Sequence, residues 1–136
     1  MSKRTDAIER ARERWNAGDL PGYLALYGEG IRLHGYTPEP MGKAEVEAFY
    51  RSTFAAFGSP QLVFDEVLES GQSITVRFTM TGTHVGDFMG VPPTRRTIAL
   101  PGITILRFES DTVIERWSSA DILGLLVQLG AMPGPG

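Results

Sequence analysis

Residues Arg116–Gly130 read RWSSADILGLLVQLG. The stretch starts like a strand and ends like a helix, with one carboxylate, Asp121, at the switch. Asp121 stands directly before Ile-Leu-Gly-Leu-Leu, a good N-cap position from which its side chain would accept backbone N–H bonds. Trp117, Ser119 and Asp121 also share one face of the strand by its period of two. If that face turns inward, an aromatic wall, a hydroxyl and a carboxylate line one pocket. Burial would then raise the carboxyl pKa and suit it to general acid/base work, whereas capping would lower it. Gly130 fits the C′ position that ends the helix.

Working outward, the last strand closes a run of four: Gln61–Glu69, Ser73–Thr83, Thr97–Phe108 and Val113–Ser119, with turns at Ser70-Gly71-Gln72 and Ser110-Asp111. Before them come three helices and a short strand. Thr5 or Asp6 caps a first helix with Ile8, Ala11 and Trp15 at helical spacing. Asp19 caps a second, with Pro21 inside its start and Tyr23, Leu24, Leu26 and Tyr27 as its apolar contacts. Ile31–Tyr36 alternates as a strand, with Ile31 and Leu33 on one face and Arg32, His34 and Tyr36 on the other. Lys43–Phe57 is a longer helix with an apolar stripe through Val46, Phe49, Tyr50 and Phe54. Helices first and strands later give an α+β class, a curved sheet around helices, which can close as a cone with an interior pocket. One domain spans 1–131, and 132–136 (MPGPG) is a flexible tail.

Composition narrows the function. A net charge of -3 over 136 residues leaves no basic footprint for nucleic acid. The early arginines Arg4, Arg10, Arg12 and Arg14 are interleaved with Asp6, Glu9 and Glu13, the pattern of a solvated helix face. With no cysteine, thiolate nucleophiles, disulfides and zinc–thiolate sites are excluded. Two distant histidines offer no metal-ligand pattern. The charged N-terminus lacks a signal-peptide core, and no apolar run would span a membrane, so the expected location is cytoplasmic.

Three stretches together carry a resemblance. They are Asn16-Ala17-Gly18-Asp19; Gly82-Thr83-His84 with Gly86-Asp87-Phe88-Met89-Gly90 and Pro93-Thr94; and Trp117, Asp121 and Gln128-Leu129-Gly130. In this order and spacing they resemble the SnoaL-like polyketide cyclases (ester cyclases) of the NTF2-like superfamily, over nearly the whole chain. The resemblance implies a cone-shaped barrel, its mostly antiparallel sheet wrapped around about three N-terminal helices with a short C-terminal helix. It implies a homodimer and a deep apolar pocket, and intramolecular aldol chemistry on a polyketide ester without metal or organic cofactor. Asp121 matches the family's acid/base position. Arg116 and Ser118 depart from the polar or acidic residues that often flank the Trp, and Arg95-Arg96 replace a Gly after Pro-Thr.

Other candidates follow by parity. His84 shares a face with Val76, Phe78 and Met80. It is either an inward proton-transfer partner or oxyanion donor, or a structural His bonded to the following loop. His34 is expected at the surface. In the loop Gly86–Arg95, Phe88 and Met89 are a plug on the core or a lid over a substrate, and Asp87 is a turn former. Tyr27 and Tyr50 could offer polar tips to a flat substrate beside Trp117 and Ser119. The expected activity is a cofactor-independent cyclase or related lyase/isomerase on an apolar carbonyl compound. The alternatives are an epoxide hydrolase or dehydratase in the same cone, and a non-catalytic small-molecule-binding protein.

Overall fold

The computed structural model describes residues 2–134. Helix α1 (Lys3–Asn16) begins ahead of the expected cap: Ser2 Oγ accepts from the Thr5 amide at 3.0 Å, and Thr5 Oγ1 accepts from the Ser2 amide in return. This reciprocal pair satisfies two donors that a helix start otherwise strands. Ala7, Ile8, Ala11 and Trp15 form its buried face. Helix α2 (Leu20–Leu24) is capped by Asp19 as expected. It is only five residues long, so Tyr27, expected within it, instead opens strand β1 (Tyr27–His34). Helix α3 spans Lys43–Ala56.

Strands β2 (Phe57–Ser70), β3 (Ser73–His84), β4 (Thr97–Glu109) and β5 (Thr112–Ala120) complete one sheet in the order β1-β5-β4-β3-β2. Only the β1–β5 pair is parallel. Helix α4 (Ile122–Gln128) closes the chain against β4. This is the expected α+β arrangement, a curved sheet with N-terminal helices and a short C-terminal helix. Residues 135–136 of the expected tail lie outside the described residues. Among the described residues no helix is long and apolar enough to cross a membrane.

Strand β4 alternates without exception: Ile98, Leu100, Gly102, Thr104, Leu106 and Phe108 are buried, their neighbours exposed. Strand β5 does not keep one period. Phe108 pairs with Val113, but Arg107 pairs with Glu115, so Ile114 is an extra residue. Such a bulge flips every side chain beyond it to the other face. Val113 is buried before the bulge, and Arg116 and Ser118 are buried after it. A second bulge in β2 leaves Asp65 unpaired between Phe64 and Glu66.

Candidate functional site

The bulge decides which chemistry faces the interior. Trp117 and Ser119 share a face, as their spacing requires, but it is the outer one. Trp117 stacks on His34 at 5.3 Å between centroids and receives the Arg107 guanidinium at 4.9 Å on its ring. The inward-turned conditional reading of these residues is therefore corrected: counting by two from Val113 puts them inside, and the bulge at Ile114 puts them outside. His34 is half-buried rather than free at the surface, bonded through Nε2 to Glu115 at 2.7 Å.

Inside, the position is held by Arg116. Its Nε donates to Thr104 Oγ1 at 2.8 Å. Its Nη1 reaches the hydroxyls of Tyr23 at 3.1 Å, Tyr50 at 2.8 Å and Tyr27. Thr104 in turn donates to the Trp117 carbonyl at 2.8 Å and sits 2.9 Å from Ser118 Oγ. Tyr27 and Tyr50 are thus brought together, with Tyr23, around a cation. Burial pushes the Tyr27 and Tyr50 hydroxyls above their ordinary pKa against the pull of Arg116. They are therefore neutral at pH 7. Burial works against the charge on Arg116, but the tyrosine oxygens around it outweigh that and hold it protonated. Among the described residues no carboxylate pairs with it.

This cluster borders a cavity of about 30 Å³ lined by Ile8, Ala11, Tyr23, Leu26, Leu62, Phe64, Val76, Phe78, Thr104, Leu106 and Arg116. At ~10–15 Å³ per water on this measure, it holds two or three water-sized groups.

Asp121 caps α4. Its Oδ1 accepts from the Gly124 amide at 2.8 Å. Oδ2 has no hydrogen-bond partner among the described residues. Both readings of RWSSADILGLLVQLG therefore have geometry behind them, because the capping carboxylate also lines a shallow depression of about 520 Å³. Around it stand Asp65, Arg77, Thr79, Pro101, Ile103 and Ser119, with Phe78, Gly102 and Ala120 beneath. Arg77 turns to Asp65 and Glu66, and Arg107 to Glu115, so neither strand arginine pairs with Asp121. Phe78 lines both the depression and the interior cavity. A Cβ at Gly102 would stand 2.5 Å from Phe78 Cζ. The absence of a side chain there lets this ring form the wall between the two spaces.

His84 is inward and fully buried, but it neither reaches Asp121 nor lines either space. Its Nδ1 accepts from the Thr94 amide at 3.1 Å and lies 3.0 Å from Thr94 Oγ1. An accepting Nδ1 places the ring proton on Nε2, which has no partner among the described residues. His84 thus ties the far end of the Gly86–Arg95 loop to β3. Phe88 is the plug, 5.2 Å from the Phe57 ring, while Met89 points outward and is 67% exposed. Asp87 accepts from the Gly90 amide as a turn former does. No group of three His, Cys, Asp or Glu residues among the described residues is placed to hold a metal.

Arg116 is the residue that parity reasoning passes over. The signal available for it was the alternation Arg116, Ser118, Ala120, equal in form to Trp117, Ser119, Asp121.

Comparison with known proteins agrees with this architecture. The family model for SnoaL-like polyketide cyclase matches residues 5–129. The aklanonic acid methyl ester cyclase DnrD of Streptomyces peucetius is 26% identical over 134 residues, covering 96% of this chain and 92% of that protein. The nogalonic acid methyl ester cyclase of Streptomyces nogalater is 27% identical over 97 residues, 71% of each. Among solved structures, AclR of Streptomyces galilaeus, a candidate hydroxylase, superposes with a TM-score of 0.90 at 28% identity, covering 98% of this chain and 99% of that one.

Proposed function

This chain belongs to the SnoaL-like polyketide cyclase family, and from that premise we propose that it closes a ring in an apolar carbonyl compound by acid/base chemistry alone. Asp121 takes a proton from the carbon beside a carbonyl. The resulting enolate carbon attacks a second carbonyl of the same molecule, forming one C–C bond. The new alkoxide takes the proton back from Asp121. The product is an isomer of the substrate, and nothing is oxidised or reduced. One observation carries the reading: Asp121 keeps Oδ2 free of protein partners on the wall of a depression large enough for a substrate. A carboxylate fixed by its other oxygen is already oriented, which is what general base catalysis needs.

The test uses the two methyl esters for which the relatives are named, aklanonic and nogalonic acid methyl esters, with the purified chain. Formation of a product of unchanged mass supports the reading. No conversion of either, under conditions where the relatives turn over, sinks it for this substrate class.

Two copies of the chain are proposed to pair through the outer sheet face, where Val63, Ile103 and Ile105 are exposed. A second copy seated there would also roof the depression and shield Asp121 from bulk water. Ile103→Lys, which adds a charge to that face, is expected to convert a dimer to a monomer in sedimentation. A wild type that sediments as a monomer would remove the proposal.

A second reading draws on the same depression. Asp65, Arg77 and Asp121 line it together, and two carboxylates with a guanidinium are a set that can hold and activate a water for epoxide opening. Ring closure stands first because Asp65 is already engaged by Thr79 Oγ1 at 2.7 Å and by Arg77. Hydrolysis of an epoxide that Asp65→Asn abolishes would reverse the order.

A further inference from the structure

We propose that the interior cavity binds a small oxyanion, a carboxylate, against the Arg116 guanidinium and the Tyr23 hydroxyl that line it. The argument is a count of donors and charge. Arg116 is a cation that cannot be neutralised by losing its proton. It is 8% exposed, and its protein partners are neutral hydroxyls. Nη2 donates to no protein group among the described residues. The three phenols carry three protons and make two contacts among themselves, at 2.6 Å between Tyr23 and Tyr27 and 3.4 Å between Tyr27 and Tyr50. Toward Arg116 they can only accept. At least one phenol O–H is therefore left over. It joins the two N–H bonds of Nη2 as donors without a protein acceptor.

A buried charge without a counter-charge is costly. A single anionic oxygen pair would supply it. Arg116 and Tyr23 are on the wall of the cavity, and the rest of that wall is almost wholly apolar. The site thus takes a small anion of about three heavy atoms, given the space for two or three water-sized groups.

The site is separate from the one in the cyclase reading, because Arg116 faces the interior while Asp121 stands with Ser119 and Ile103 at the depression on the outer sheet face. The binding test does not depend on turnover. Formate and its neutral isostere formamide are titrated into the protein at fixed pH and constant ionic strength. The Arg116 Nε–H and the Trp15 indole resonances are followed. Trp15 is a suitable reporter because its ring stands edge-on to Tyr23 at 4.8 Å and to Tyr50 at 5.5 Å. Formate is expected to shift both signals saturably, at least about tenfold more tightly than formamide, as a charge-assisted bond requires. Arg116→Met should lose that preference, and Arg116→Lys should keep part of it. Equal binding of formamide, no saturable shift with formate, or an unchanged preference in a folded Arg116→Met protein would each overturn the proposal. Inactivity toward the methyl esters with formate binding intact would sink the cyclase reading and leave this one standing.

Discussion

Asp121→Asn is expected to lower turnover of a cyclisable ester about 10²–10⁴-fold while leaving the melting temperature where it was. The two halves of that result come from different atoms. Asn caps a helix as well as Asp does, because its side-chain oxygen accepts the same amide bond. The bond to the Gly124 amide therefore survives, and so does α4. What disappears is a group that can take and return a proton. Gly124→Ala separates the same two roles from the other side. A Cβ there would overlap Asp121 Oδ2, so the carboxylate must turn away. Alanine gains about 1 kcal/mol of helix propensity over glycine, and the lost cap costs about the same. Stability should hardly move, while turnover should fall because the base points elsewhere. If both variants turn over normally, the carboxylate is only a cap, and the small-molecule-binding alternative comes forward.

The family motifs and the switch from strand to helix at Asp121 were legible in the sequence because they depend on neighbouring residues. Asp19 and Asp121 cap their helices where expected, each bonding the amide of a glycine three residues on. Helix α3 and strands β3, β4 and β5 stand within one residue of their expected bounds for the same reason, whereas β2, expected from Gln61, starts four residues earlier at Phe57. What was not legible was the facing of β5. Period-two reasoning holds only along an uninterrupted strand, and one extra residue at Ile114 reverses it. Nothing in VIERW marks a bulge, since no glycine or proline punctuates it. Trp117 then reads as an inward aromatic wall and Arg116 as a departure, when the folded strand has them the other way round. His84 illustrates a different limit. Its inward direction follows from β3, which carries no bulge between Val76 and His84. Its partner, Thr94, lies across a loop whose course a local pattern does not encode.

Arg116→Met is expected to raise the melting temperature by several degrees and to remove oxyanion binding with it. Methionine is unbranched and fills irregular apolar space, so it can occupy much of the volume the arginine stem leaves. The variant removes a cation that the folded protein holds away from water with only neutral partners. Of the hydroxyls left behind, Tyr23 and Tyr27 keep each other at 2.6 Å, and Thr104 keeps the Trp117 carbonyl and Ser118. Replacing buried ionic groups by apolar ones of similar size commonly gains ~1–4 kcal/mol, which for a domain of this length is on the order of 5 °C. The opposite sign is the informative failure. If Arg116 is structural glue for the three tyrosines, Arg116→Met should instead cost about 1–3 kcal/mol in unmet hydrogen bonds and lower the melting temperature. Thermal unfolding of the wild type with and without formate completes the comparison. A bound oxyanion would supply the missing charge, so formate should stabilise the wild type by mass action and leave Arg116→Met unmoved. A protein that keeps such a cation at a cost in stability keeps it for what the charge binds.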